Sequence, residues 1–153
     1  MMTSFQAKFP AVSQFSKKCI SFCQKHGYTT TIFKRRRKFQ NINHPAPHLS
    51  AQAERQAINF CVQGSAADLC KAAMIQLQLA LNCRHHLKAR LLIQIHDEIL
   101  LEAADEHINE VKDIVKRVME SGDSLCGHMV KLKVPIKVSV SVGKRWGHMS
   151  AIS

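Results

Sequence analysis

At 153 residues, with 46% hydrophobic and 22% charged positions, the chain has the composition of about one globular domain, long enough to bury a core. No apolar run reaches the roughly 18 residues of a bilayer span, which excludes a transmembrane helix on composition. The charge is one-sided: 22 Lys and Arg face 11 Asp and Glu, a net +11, so polyanionic partners are favoured, nucleic acid first and an anionic membrane surface second.

The opening "MMTSFQAKFPAVSQF" lacks the basic-then-apolar layout of a secretory signal. The first helix is expected over about Pro10 to His26. Pro10 suits a first helical position, Val12, Phe15, Cys19, Phe22 and Cys23 recur at three- and four-residue steps, and Gly27 supplies the stop. "YTTTIF", rich in β-branched and aromatic residues, reads as extended and runs into the five cations Lys34, Arg35, Arg36, Arg37 and Lys38. "NINHPAPH" reads as an irregular loop. "SAQAERQAINF" is expected to be helical with Ala53, Ala57 and Phe60 inward. Gly64 should interrupt it or open a new turn, and Ser65 with Asp68 should form a capping box for the next helix. That helix presents Ala66, Cys70, Ala73, Leu77 and Leu81 as its apolar stripe.

"LLIQIHDEILLE" follows as two short strands or one bent one. A helix over about 105–121 turns Ile108, Val111, Ile114, Val115, Val118 and Met119 inward, with Gly122 closing it. "LKVPIKVSVSVG" alternates, with Leu132, Val134, Ile136, Val138, Val140 and Val142 on one face and Pro135 suiting a sheet edge. The element order predicts an α+β fold, an antiparallel sheet with helices on one face. The six cysteines (19, 23, 61, 70, 83 and 126) lie scattered in helical patterns and are expected as reduced thiols packed as small hydrophobes. Cys19 and Cys23 could share a helix face, but two thiols fall short of the four ligands of a zinc site.

Three segments carry chemistry. His96, Asp97 and Glu98 stand in the middle of an apolar stretch, where ionisable groups without partners are costly to bury. Solvated acids are common at turns, and that reading accounts for them. Alternatively, a reversal at this point thrusts Asp97 to the tip of a rigid hairpin, where a carboxylate is an oxygen ligand for a hard cation such as Mg²⁺. The basic run is either a solvated loop or nuclear-import signal, or a phosphate contact in which arginine bonds bidentately. In "AERQAINFCVQGSAADLCKAAMI", the Ala-rich pattern alone reads as helix packing. Arg55, Asn59 and Gln63, however, recur every four residues as a polar stripe able to donate to minor-groove acceptors.

In this order, "FKRRR", "AERQAINFCVQGSAADLCKAAMI", "LLIQIHDEILLE" and "VSVSVGKRWGHM" resemble the C-terminal end of the A-family DNA polymerases, over about residues 5–149. Within the family the likeness runs to the nu branch, with theta next, because residues 72–93 leave no room for the long insertion that theta-like members carry there. The resemblance implies a partial polymerase palm plus the last helix of the fingers. Residues 1–50 would be the fingers remnant and basic loop, and residues 51–153 the C-terminal half of the palm. Asp97 matches the family's metal-holding hairpin acid, Glu98 its acidic neighbour and His96 the residue beside the primer end. Arg55, Asn59 and Gln63 match residues near the primer–template minor groove, and Arg35, Arg36 and Arg37 the basic run near the template strand.

The implied cofactor is Mg²⁺. The implied partners are primer–template DNA and, in the intact enzyme, deoxynucleoside triphosphates, with no membrane. The implied setting is DNA repair or translesion synthesis in the nucleus. Lys34 departs from the family, many of whose members have Gly there. The family's other metal-binding Asp and the nucleotide-gripping fingers helix lie upstream of the matching region. The chain is therefore expected to be a truncated portion, inactive alone and prone to self-association through an unpaired sheet edge. Two other classes remain: a non-catalytic nucleic-acid-binding module, and a metal-dependent phosphohydrolase needing a second carboxylate near Asp97.

Overall fold

The computed structural model describes residues 7–121 and 132–152. Gly122 and Cys126 lie outside them. The chain divides into two compact units, Met1–Asp68 and Leu69–Ser153. The class is α+β, with the antiparallel pairing shared among three two-stranded sheets.

In the first unit, α1 spans Pro10–His26, and Gly27 ends it in the left-handed conformation (φ 74°), its N–H donating to the Cys23 carbonyl at 2.7 Å. Helix α1 buries Cys19 and Cys23 against Phe39, Ile42, Ala53, Ala57 and Phe60. Val12, Phe15 and Phe22, which the spacing placed on the same inward face, are exposed. Strand β1 (Tyr28–Thr30) pairs antiparallel with β2 (Arg36–Lys38), so the last three residues of the basic run are a strand rather than a loop. Helix α2 is Pro47–Asn59 and starts within the expected loop, because Pro47 already has the backbone angle a first helical residue needs.

No break follows α2. Phe60–Gly64 forms one π-helical turn and leads directly into α3, Ser65–Asn82. The expected capping box is absent. Ser65 is itself helical (φ −68°, ψ −40°), and its hydroxyl donates to the Cys61 carbonyl at 2.5 Å while accepting from the Ile32 N–H at 3.0 Å. Asp68 is committed elsewhere.

In the second unit, Leu77 of α3 centres a core with Val111, Ile114 and Val115 of α4, Ile108–Glu120. A 3₁₀ turn, Asp105–His107, leads into α4. Of the stripe expected on α3, Ala73, Leu77 and Leu81 are buried, Cys70 is half-buried and Ala66 is exposed. The opposite side of α3 carries Ile75 and Leu79, both exposed. Strands β3 (Ala89–Ile95) and β4 (Glu98–Ala103) form a hairpin whose Ile99, Leu101 and Ala103 alternate onto the core, as period-two geometry requires.

The last segment differs from the single strand expected over 132–142. Pairing begins only at β5, Val140–Arg145, which runs antiparallel to β6, His148–Ile152. Residues 132–139 form no ladder, and Val134, expected inward, is 71% exposed. Pro135 offers no N–H to hold a neighbouring strand. Val138 and Val140 do pack against the Leu77 core. At Gly143 a β-carbon would collide with the His148 carbonyl, so glycine is what lets the β5–β6 hairpin close.

Candidate active site and nucleic-acid interface

The basic run is held by a turn with unusual backbone geometry. Lys34 sits at φ 65°, its N–H donating to the Thr31 carbonyl at 3.0 Å, while the Thr31 N–H donates to the Arg35 carbonyl at 3.0 Å. A side chain in the left-handed region costs roughly 1–2 kcal/mol, which explains why Gly suits this position. Lys34→Gly is therefore expected to stabilise the chain by about 0.5–1 kcal/mol, once the extra flexibility of the unfolded glycine is subtracted. Denaturant unfolding checks it.

The arginines lie on aromatic rings. Arg35 and Arg37 both stack over Phe60, with guanidinium-to-centroid distances of 5.0 and 5.8 Å, and Arg37 also covers Phe39 at 5.1 Å. Arg36 lies over Tyr28 at 5.0 Å. Such stacking holds a guanidinium plane while leaving its edge free for hydrogen bonds. Arg35 is further engaged: its Nε donates to Asp68 Oδ1 at 2.9 Å and its Nη2 to the Gly64 carbonyl at 3.1 Å. Among the described residues, no acid lies within ion-pair distance of Arg36 or Arg37. The free positive edge of the run thus belongs chiefly to Arg36 and Arg37, with Arg35 tying the turn to the start of α3. Sequence reasoning missed Phe60, Tyr28, Thr31 and Asp68 as the supports of this run.

Arg55, Asn59 and Gln63 are all exposed. Arg55 and Asn59 lie one turn apart on α2, and Gln63 falls in the π turn. Four residues overshoot a 3.6-residue turn, so a stripe at this spacing drifts round a regular helix. The wider π turn removes part of that drift and keeps Gln63 near the line of the other two. Gly64 is buried there because a β-carbon would come within 3.0 Å of Thr31 Cγ2 and 3.1 Å of Phe60 Cδ2.

The hairpin acid sits where the apolar flanks placed it. Ile95 pairs with Glu98, leaving His96 and Asp97 as a two-residue loop. His96 takes φ 54°, the positive angle that primed hairpin turns ask of their first central residue, though no glycine marks the site. The Gln94 side-chain amide donates to the His96 carbonyl and braces the turn. His96, Asp97 and Glu98 are all exposed, with Glu98 as the first residue of β4. The Cys70 thiol is pushed above its usual pKa, mainly by burial and secondly by the negative charge of Asp97. Asp97 therefore lies within electrostatic reach of α3.

Successive strand residues point to opposite faces, so Asp97 and Glu98 do not form a chelating pair by adjacency alone. No group of three or more His, Cys, Asp or Glu able to hold a metal occurs among the described residues. An exposed carboxylate still fits Mg²⁺, which takes one or two protein carboxylates and completes its shell with water and phosphate oxygens. The hairpin is suited to be one side of such a site.

Residues 1–148 match the model of DNA polymerase family A. The chain is 40% identical to a DNA polymerase I of Geobacillus stearothermophilus over 140 residues, covering 92% of this chain and 15% of that polymerase. It is 38% identical to the DNA polymerase I of Caldicellulosiruptor bescii over 139 residues, 91% of this chain and 15% of the relative. Among solved structures, the POL domain of Pol1 from M. smegmatis, in complex with DNA primer-template and dNTP, superposes with a TM-score of 0.79 at 31% identity, covering 89% of this chain and 23% of that one. The chain thus spans about one-seventh of the length of these curated relatives. With nearly its whole length inside the family match, the chain belongs to DNA polymerase family A.

Proposed function

We propose that the chain is the C-terminal portion of a DNA-directed DNA polymerase and supplies part of its primer–template grip and one side of its metal site. The observation that carries this reading is the exposed His96–Asp97 hairpin loop, close enough to α3 for Asp97 to act on Cys70. Asp97 would hold Mg²⁺, which supplies charge neutralisation at the transferring phosphoryl group, with Glu98 as its acidic neighbour. His96 stands beside the primer end. Arg36 and Arg37 contact template phosphates, helped by Arg35, and Arg55, Asn59 and Gln63 meet the minor groove. Residues 1–50 belong to the fingers and residues 51–153 to the palm. Within the family we place the chain nearest the nu branch, in nuclear DNA repair or translesion synthesis, on the short 72–93 segment.

Binding to primed DNA should depend steeply on salt. With about five phosphates contacted, log K is expected to fall with log salt at a slope of roughly −4 to −5. Arg36→Ala with Arg37→Ala should flatten that slope by about two and weaken all sequences alike. Binding that is flat between low and moderate salt would sink the reading.

By itself the chain is expected not to extend a primer. Two-metal catalysis needs ligands on both ions, roughly 3.5–4 Å apart, and the described residues offer only the Asp97 side. Purified protein given primed template, Mg²⁺ and four nucleotides tests this; extension that vanishes in Asp97→Asn would overturn it. Binding without any effect of Asp97→Asn in an intact polymerase would instead favour a non-catalytic nucleic-acid-binding module.

A further inference from the structure

The first unit brings together two cysteines from distant parts of the sequence. Cys19 Sγ of α1 and Cys61 Sγ of the π turn lie 3.2 Å apart, and the Thr29 hydroxyl is 3.0 Å from Cys61 Sγ and 3.8 Å from Cys19 Sγ. Both thiols are free. Nothing in nucleotide transfer or DNA contact uses them. A disulfide requires sulfurs about 2.05 Å apart, so closure asks for a movement of about 1 Å, within reach of side-chain rotation.

We propose that Cys19 and Cys61 are an oxidisable dithiol, closed to a disulfide by small-molecule disulfides such as oxidised glutathione and reopened by thiols. The asymmetry of the pair sets the order of events. Cys61 is half-buried and reachable, whereas Cys19 is 7% exposed. Burial first, and the hydrogen bond with Cys61 second, push the Cys19 thiol up to about 12, which disfavours Cys19 as the first attacking sulfur. Cys61, as thiolate, attacks one sulfur of the oxidant; the oxidant's S–S bond breaks and one small thiolate leaves. Cys19 then loses its proton, attacks the Cys61 sulfur of the mixed disulfide and expels the second small thiolate. Two electrons pass from the cysteines to the oxidant, and the two protons released end on the departing thiols.

The Thr29 hydroxyl, itself buried, can donate to whichever sulfur carries negative charge along this path. The cross-link would tie α1 to the turn that carries Gln63, fixing one edge of the exposed polar stripe. Cys23, fully buried one turn along α1, is the competing thiol.

The test treats the full chain with oxidised glutathione, alkylates it with N-ethylmaleimide after denaturation, and maps the peptides by mass spectrometry. Expected are the loss of two alkylation sites, a Cys19–Cys61 peptide pair, and full recovery of both sites after dithiothreitol. Cys19→Ser should instead leave Cys61 carrying one glutathione. Cys19 and Cys61 that both remain alkylatable after oxidation, or a dominant Cys23–Cys61 pair, would overturn the proposal. So would a Cys19→Ser protein in which Cys61 is found in a disulfide with another cysteine of the chain instead of carrying glutathione. Should that variant not fold, the peptide map of the unmodified sequence decides alone.

Discussion

Asp97→Asn, placed in an intact polymerase carrying this C-terminal portion, is expected to lower primer extension about a thousandfold or more, equivalent to roughly 4 kcal/mol of transition-state stabilisation. The substitution keeps the size of the side chain and removes its charge. Because Asp97 is exposed at the loop of the β3–β4 hairpin, the change leaves no cavity and breaks no ladder pair. DNA affinity should stay within about twofold, since the proposed phosphate and groove contacts do not involve this acid. Cys70 offers an internal check. The Asp97 charge helps raise its thiol, so removing that charge brings the thiol down and speeds its alkylation at fixed pH. Extension at the parent rate in Mg²⁺ would show the acid to be structural.

Leu77→Ala is expected to cost about 3–4 kcal/mol of stability, a large share of the roughly 5–15 kcal/mol that keeps a domain folded. Leu77 is 0% exposed and contacts the buried face of α4, with the inward residues of the hairpin around the same core. Truncation removes buried methyl groups and leaves a cavity that two helices and a sheet cannot all collapse into. Leu79, two residues on, is 53% exposed on the other side of α3. Its replacement by Ala in this chain should change stability by less than about 0.5 kcal/mol. Urea titration of both variants separates burial from mere hydrophobicity; equal losses would mean that α3 is covered on both sides.

Elements whose evidence is local and periodic were legible in the sequence. The 3.6-residue recurrence of Val111, Ile114 and Val115 places α4, and Gly27 marks the end of α1. The apolar flanks allow a reversal at His96 to Glu98 or one bent strand, with no turn residue to announce either; the turn falls on His96 and Asp97. Other features depend on contacts that no window contains. Asp68 looked like a capping residue, yet it pairs with Arg35, 33 residues earlier in the chain, and Ser65 holds Ile32 rather than an N-terminus. The alternation over 132–142 mimics one long strand, but alternation states which side chains share a face and not whether a partner strand exists. Strand β6, beginning at His148, has too little β-branched character to announce itself. The stripe of Arg55, Asn59 and Gln63 was visible as spacing, and the minor-groove role proposed for it rests on residue type and family likeness, since exposed polar residues at four-residue steps are common on any helix.

The π turn has a further consequence for which length changes the gene can tolerate. A single π turn is equivalent to one residue inserted into an α-helix, so deleting one residue from 60–64 would allow Pro47–Asn82 to run as uninterrupted α-helix. Helical hydrogen bonding would survive and even improve. Everything downstream would keep nearly the same facing, because the wider turn already absorbs the extra residue. Ser65 and Asp68 would stay opposite Ile32 and Arg35, and the turn that carries the arginines would remain held. An in-frame codon loss here should thus be tolerated, whereas the same loss within the regular turns of α3 would rotate all that follows by about 100°.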